Sequence, residues 1–170
     1  MDRKLLYPAV TSILQNDDSV ARGSLGRIYG LLTERDLAAL LPSIVKATDQ
    51  LAPSDEMFGD GIRLAGLDLL SRLHIREGMP LCVSVIEPDR WGVGHRLEKC
   101  LECLGRYGAR AKEVLPQLKK MREEFAKAGR GKVSDQVQLL DKSVAAIEAS
   151  KELPAVVDMK KFIAQSSSVR

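Results

Sequence analysis

The stretch Leu6-Tyr7-Pro8-Ala9-Val10 is the first of four in which a proline lies inside or beside apolar residues. The other three contain Pro42, Pro80 and Pro116, and successive prolines are 34, 38 and 36 residues apart. An internal period of this length is typical of helical solenoids, in which each unit packs only on its neighbours. The spacing therefore predicts an all-α chain, an α-α superhelix of about four helical pairs.

The apolar pattern within each period indicates a helix, a turn and a second helix. Leu6, Val10 and Leu14 recur at the spacing of a helix with one buried face. Thr33 followed by Asp36 is similar to a capping box, which marks the start of a helix. We predict a single domain over residues 1–165, with units at about 3–32, 33–73, 74–108 and 109–150, a capping helix at 153–164 and a disordered tail at 166–170.

The positions of two prolines predict curvature. Pro42 and Pro116 are expected about two turns into their helices, where a proline removes one backbone hydrogen bond and clashes with the preceding turn. Because this placement recurs, we predict kinked first helices that curve the array.

Composition excludes several classes of protein. Hydrophobic residues make up 45% and charged residues 29%, as in an ordinary folded domain, and the net charge of +3 is too small to indicate a nucleic-acid binder. Three cysteines, an odd number, argue against a secreted disulfide framework. No apolar run is long enough to span a membrane and no cleavable leader is evident. We expect a cytoplasmic protein with no membrane partner.

The sequence contains few residues in patterns typical of a metal site or a catalytic site. Cys100 and Cys103 form a CxxC, which only Cys82, His74 and His95 could complete as a zinc site. We expect these cysteines to be small apolar core residues, and a metal or redox role is the alternative. The chain has no glycine-rich phosphate loop and no Gly-x-Ser-x-Gly motif. We therefore predict no catalytic residues, no metal, no cofactor and no enzymatic activity.

The first unit resembles a HEAT repeat, a member of the armadillo-like solenoids. It has a proline in the first helix, Asp17 in the turn, then Val20 and Arg22 opening the second helix. The resemblance implies that second helices line a concave face and that aspartate and arginine bond between adjacent units. It assigns that inter-unit role to three aspartates and three arginines: Asp17, Asp60, Asp89, Arg22, Arg63 and Arg96. The fourth unit departs from the pattern, with Gln136 in place of the arginine.

Arginines and one tryptophan are the candidate binding residues. Six arginines fall on predicted second helices, and the planar guanidinium suits phosphates and carboxylates. Trp91 is predicted either to be exposed for recognition or to fill the gap within its own unit. We predict that the concave face comprises Arg22, Arg27, Arg63, Arg72, Arg96, Arg106 and Trp91, with the alternative that some of the arginines bond between units.

These features favour a non-catalytic protein-interaction or scaffolding module, as a segment of a larger protein, with a protein partner. The alternative is a nucleic-acid-binding solenoid that uses the concave arginines. That alternative is less favoured because acidic residues alternate with the arginines and aromatic residues make up only 4% of the chain.

Overall fold

The computed structural model describes residues 2–16, 18–51, 56–128 and 133–168. Within these ranges the protein is all-helical, with 78% helix and no strand, which confirms the predicted class. Two 3-10 helices cover Gly26–Leu31 and Gly108–Val114. The nine α-helices of the described residues are α1 Arg3–Leu14, α2 Ser19–Leu25, α3 Glu34–Asp49, α4 Glu56–Arg72, α5 Gly78–Ser84, α6 Val93–Gly105, α7 Leu115–Ala128, α8 Val133–Ala149 and α9 Met159–Ser168.

The predicted capping box at the start of α3 is present. The Thr33 hydroxyl accepts from the Asp36 amide, and the Asp36 carboxylate accepts from the Thr33 amide. Asp36 also accepts from Arg3 and Tyr7, so the same carboxylate ties α1 to α3. The bonds that Asp36 accepts from the Thr33 hydroxyl and from Arg3 hold the pKa of this carboxyl well below its usual range.

The helices contact one another in the order of the chain. Successive helices are in contact as α1 with α2, α3 with α4, α5 with α6 and α7 with α8. The first members of these pairs touch along the row α1, α3, α5, and the second members touch along the row α2, α4, α6, α8. A large apolar cluster, from Leu67 to Ile147, joins α4 to the helices that follow it.

Two glycines allow close approach between neighbouring elements. A Cβ atom at Gly66 on α4 would overlap the Thr48 hydroxyl on α3, and one at Gly78 on α5 would overlap the Tyr107 hydroxyl. That hydroxyl is buried and donates to the Ile75 carbonyl at 2.7 Å. Any side chain at either glycine would therefore push adjacent helices apart.

Of the two prolines predicted about two turns into a helix, Pro42 is there and Pro116 is not. Pro8 and Pro42 lie inside α1 and α3. Pro80 and Pro116 instead lie in the first turns of α5 and α7, where the missing amide proton has no intrahelical acceptor. The prediction that Pro116 kinks a helix two turns in is wrong, because α7 begins at Leu115.

The predicted C-terminal boundaries need correction. In the second unit α4 begins at Glu56, and residues 52–55 before it lie outside the described ranges. At the C-terminus, residues 150–158, called here the linker segment, are not helical. The helix predicted at 153–164 is α9, which packs against α3 instead of continuing past the fourth pair.

The late start of α9 has a physical cause. Val157 pairs with the backbone of the residues around Ile75, and the Glu77 carboxylate then accepts from the Met159 amide at the first turn of α9. The predicted disordered tail is helical as far as Ser168, and residues 169–170 lie outside the described ranges.

Candidate functional site

Three of the six predicted binding arginines lie in the interior. Arg22, Arg63 and Arg96 have at most 2% of their surface exposed. Each guanidinium donates to backbone carbonyls near the end of a first helix, where the last carbonyls of a helix lack intrahelical partners. Their burial contradicts the prediction that they line a binding face.

Arg22 connects the first two pairs. Its Nη2 atom donates to the carbonyls of Ala47 and Gln50 at 2.9 and 2.8 Å, at the C-terminal end of α3. The predicted partner, Asp17, lies outside the described residues. Among the described residues, Arg22 bonds to the second pair through these backbone carbonyls.

Arg63 connects the second and third pairs. It donates to the Thr48 carbonyl and, through both terminal nitrogens, to the Glu87 carboxylate at 3.1 and 3.2 Å. Burial opposes ionisation of Glu87, but Arg63 and Arg90 outweigh it and lower the pKa of this carboxyl.

The sequence did not identify Glu87. It named Asp89 for this inter-unit role, but Asp89 is exposed and has no hydrogen bond or ion pair within the described residues. Glu87 has a φ of 44°, an uncommon left-handed conformation for a residue other than glycine. No local pattern signals that conformation, so the sequence could not show which acidic residue turns inward.

Arg96 holds the loop between α5 and α6. Its guanidinium forms an ion pair with Asp60 at 2.9 Å. It also donates to four carbonyls of the preceding chain, those of Ile86, Glu87, Arg90 and Trp91. Residues 87–92, called here the Trp91 loop, thus have three of their carbonyls bonded to one buried side chain.

The Trp91 side chain lies in solvent. Trp91 is 71% exposed, and its backbone carbonyl accepts a hydrogen bond from the Arg96 guanidinium at 2.6 Å. The alternative that Trp91 fills a gap within its own pair is therefore wrong. Gly92, with a φ of 80°, supplies the turn from this loop into α6.

A shallow depression adjoins the indole. Side chains and backbone from the N-terminal parts of α4 and α6 line it together with the loop. We call this set the Trp91 surface: Asp60, Gly61, Leu64, Trp91, Gly92 and His95.

The remaining predicted arginines do not gather there. Arg72 and Arg106 both pair with Asp68, at 2.9 and 2.7 Å, and Arg106 also pairs with Glu102. Arg27 is exposed on the first 3-10 helix. Among the described residues, the exposed arginines Arg72 and Arg106 of this side are paired with carboxylates and form no cluster of unpaired cations with Arg27.

The cysteines and His74 occupy structural positions. Cys82, Cys100 and Cys103 are buried free thiols in the largest apolar cluster, and burial raises the pKa of Cys82 and Cys100. The His74 ring nitrogen Nε2 lies 3.2 Å from the Arg106 carbonyl. Within the described ranges, no three histidine, cysteine, aspartate or glutamate side chains are grouped as a metal site would require.

Comparison of the chain with protein-family models, with curated proteins and with solved structures found no match. Among the described helices, none combines the length and apolar character needed to cross a membrane.

Proposed function

We propose that this chain is a HEAT-like helical solenoid that acts as a non-catalytic protein-interaction module, with the Trp91 surface as its binding site. The observation that carries the proposal is an exposed indole on a loop whose backbone is bonded to a buried arginine. A loop with a fixed backbone loses less conformational entropy on binding than a mobile one, and tryptophan is among the residues that often dominate interfaces.

The order of helix contacts supports the solenoid. The first helices α1, α3 and α5 touch in a row, and the second helices α2, α4, α6 and α8 touch in a row. Arg63 and Arg96 lie on the second helices of successive pairs, and each donates to a carbonyl near the end of the first helix of its own pair. Repetition of one buried contact in successive pairs is expected of repeated structural units.

The placement of the arginines favours a protein partner over a nucleic acid. Three of the six are buried, and Arg72 and Arg106 already bond to carboxylates. A strand of nucleic acid requires a track of available cations beside its stacking aromatics. In this protein the exposed tryptophan is not accompanied by such a track, because the exposed arginines Arg72 and Arg106 are paired with Asp68.

The test is a matched capture experiment. Wild-type chain, Trp91→Ala and Leu153→Ala are used as baits, because Leu153 is another large exposed apolar residue, at 65% exposure, that lies outside the Trp91 surface. A protein captured by wild type and by Leu153→Ala is then purified, and its affinity for each bait is measured by titration calorimetry. We expect Trp91→Ala to weaken binding by at least 2 kcal/mol, about 30-fold.

Equal binding of the purified partner to wild type and Trp91→Ala would refute the proposed site. Binding of a labelled DNA or RNA duplex at about 50 mM salt, falling steeply by about 200 mM, would instead support the nucleic-acid alternative. We expect no such binding.

A further inference from the structure

The two helices of the third pair, α5 and α6, run antiparallel in close contact. At one end Arg96, near the start of α6, donates to the carbonyl of Ile86, which follows the end of α5. At the other end Tyr107, which follows α6, lies against Gly78 at the start of α5, where an added Cβ atom would overlap the Tyr107 hydroxyl. These two contacts determine which residues of α5 and α6 face each other.

This register places two cysteines opposite each other. Cys82 is four residues after Gly78, and Cys103 is four residues before Tyr107. Residues four apart lie on the same face of a helix, so one turn forward along α5 matches one turn back along α6. Both cysteines belong to the apolar cluster that these helices share, and the Cys82 thiol donates a hydrogen bond to the Cys103 sulfur.

Cys103 has the surroundings of a reactive thiol. Its pKa is lowered to about 7, chiefly by the hydrogen bond from Cys82 and further by Ser71 and Arg106, although burial acts in the opposite direction. The Arg106 guanidinium donates to the Ser71 hydroxyl at 2.9 Å, which holds the positive charge on this side of the sulfur. Because the thiolate is the nucleophilic form of cysteine, such a thiol reacts with oxidants near neutral pH.

Access also distinguishes Cys103 from the other two cysteines. It is 4% exposed, whereas Cys82 and Cys100 are fully buried, and burial raises the pKa of both. The side chain of its neighbour Arg106 is 31% exposed. An oxidant as small as hydrogen peroxide therefore meets the Cys103 sulfur first, and the thiol in contact with the oxidised sulfur is that of Cys82.

We propose that Cys103 and Cys82 are a peroxide-sensitive pair that forms a reversible disulfide between α5 and α6. In the first step the Cys103 thiolate attacks one oxygen of hydrogen peroxide, the O–O bond breaks, and the hydroxide that leaves takes up the proton released earlier by this thiol. In the second step the Cys82 sulfur attacks the Cys103 sulfenic acid, the S–S bond forms, and the S–O bond breaks as its oxygen leaves with the Cys82 proton as water. The two sulfurs lose two electrons in total, and one peroxide becomes two waters.

The Cys103–Cys82 pair does not depend on the function proposed above, because neither residue belongs to the Trp91 surface. A dithiol reductant reverses the disulfide by exchange, in which its own two thiols are oxidised as the protein disulfide is reduced. The cross-link would join the helices on either side of the Trp91 loop.

Peptide mapping of the oxidised wild-type chain tests the proposal. The folded protein is treated with a modest excess of hydrogen peroxide, the remaining thiols are blocked, and the chain is digested without reduction. Cleavage after Glu102 separates Cys100 from Cys103, so the linked partners are identified directly. We expect the number of free thiols to fall from three to one, with Cys82 joined to Cys103 and Cys100 free, and a dithiol reductant to restore all three.

Alanine variants separate the roles of the three thiols. Cys100→Ala is the matched control, because it removes a buried cysteine of the same helix and should still form the disulfide. Cys82→Ala should leave Cys103 as a sulfenic acid that dimedone traps, and Cys103→Ala should yield neither a disulfide nor a dimedone adduct. Mapping of the wild-type chain requires no variant, so the test stands even where an alanine variant does not fold.

Three results would overturn the proposal. One is retention of all three free thiols in the folded chain at peroxide concentrations that oxidise the urea-unfolded chain. Another is a disulfide that includes Cys100 or that joins two chains. The third is a dimedone adduct at Cys82 in Cys103→Ala and none at Cys103 in Cys82→Ala, which would reverse the roles of the two sulfurs.

Discussion

The Trp91 loop and the linker segment are both non-helical, but different kinds of hydrogen bonds hold their backbones in place. The Trp91 loop is bonded by a buried guanidinium that donates to three of its carbonyls and to Ile86. The linker segment is held by separate backbone bonds, one from the Ala109 amide to the Glu152 carbonyl and two between Val157 and the residues on either side of Ile75. Bonds shielded from water are harder to replace, so we expect the first segment to be rigid and the second to open readily.

The largest expected effect comes from removing the arginine that fixes the Trp91 loop. Arg96→Met should destabilise the protein by about 3–5 kcal/mol, because it leaves Asp60 without its partner and four carbonyls without their donor. Urea unfolding measures the change. Arg106→Met is the control, since its ion pair with Asp68 is partly exposed to solvent and its loss should cost about 1 kcal/mol. Equal losses for the two variants would mean that Arg96 does not carry this role.

The linker segment should respond locally. Phe162→Ala removes a partly buried ring between α9 and two apolar clusters, so we expect a loss of about 1–2 kcal/mol, less than for a fully buried phenylalanine. Amide hydrogen exchange should accelerate in α9 and leave α6 unchanged. Lys161→Ala, on the exposed side of α9, should change neither. Faster exchange throughout the protein would show that α9 does not open separately.

Acid should loosen the Trp91 loop through Glu87. The pKa of this carboxyl is lowered in the folded state, so its contribution to stability is present above about pH 4.5 and is lost as the pH falls through the folded pKa. We expect Glu87→Gln to cost about 1 kcal/mol at pH 7 and to cost less at pH 3. Unfolding of both proteins at the two pH values measures this, and a cost that grows on acidification would contradict it.

The smallest expected effect on stability is at Trp91. Trp91→Ala should change the free energy of unfolding by no more than about 0.5 kcal/mol, because the indole lies in solvent. Leu67→Ala, at a fully buried residue, should cost about 2–5 kcal/mol and serves as the comparison. A large loss for Trp91→Ala would mean that the ring packs into the fold.

The sequence predicted periodic features well and single conformations poorly. Spacing of apolar residues and the Thr33–Asp36 pair are local signals, and the helices and the capping box they indicate are present. The inward turn of Glu87 and the return of α9 to α3 depend on contacts 24 and 132 residues away along the chain. The spacing of residues along the sequence does not predict contacts between residues so far apart in the chain.

For the candidate site residues, too, the sequence predicted the helix on which a residue lies better than it predicted whether its side chain is buried. Four of the six arginines predicted on second helices lie on α2, α4 and α6, namely Arg22, Arg63, Arg72 and Arg96. Helical position alone does not tell whether a guanidinium faces the neighbouring pair or solvent. Arg96 lies on α6, and Arg106, ten residues later, lies just after it. The Arg96 side chain is buried, whereas the Arg106 side chain is partly exposed. The exposure of Trp91 was left open because an aromatic in a loop suits either environment.

The most direct test of the account is the backbone order parameter of the Trp91 amide, measured by nuclear magnetic relaxation in the wild-type protein. We expect about 0.85, the value of rigid backbone, with a clearly lower value at Leu153 in the linker segment. A value below about 0.6 at Trp91 would contradict the claim that Arg96 holds the indole ready for a partner.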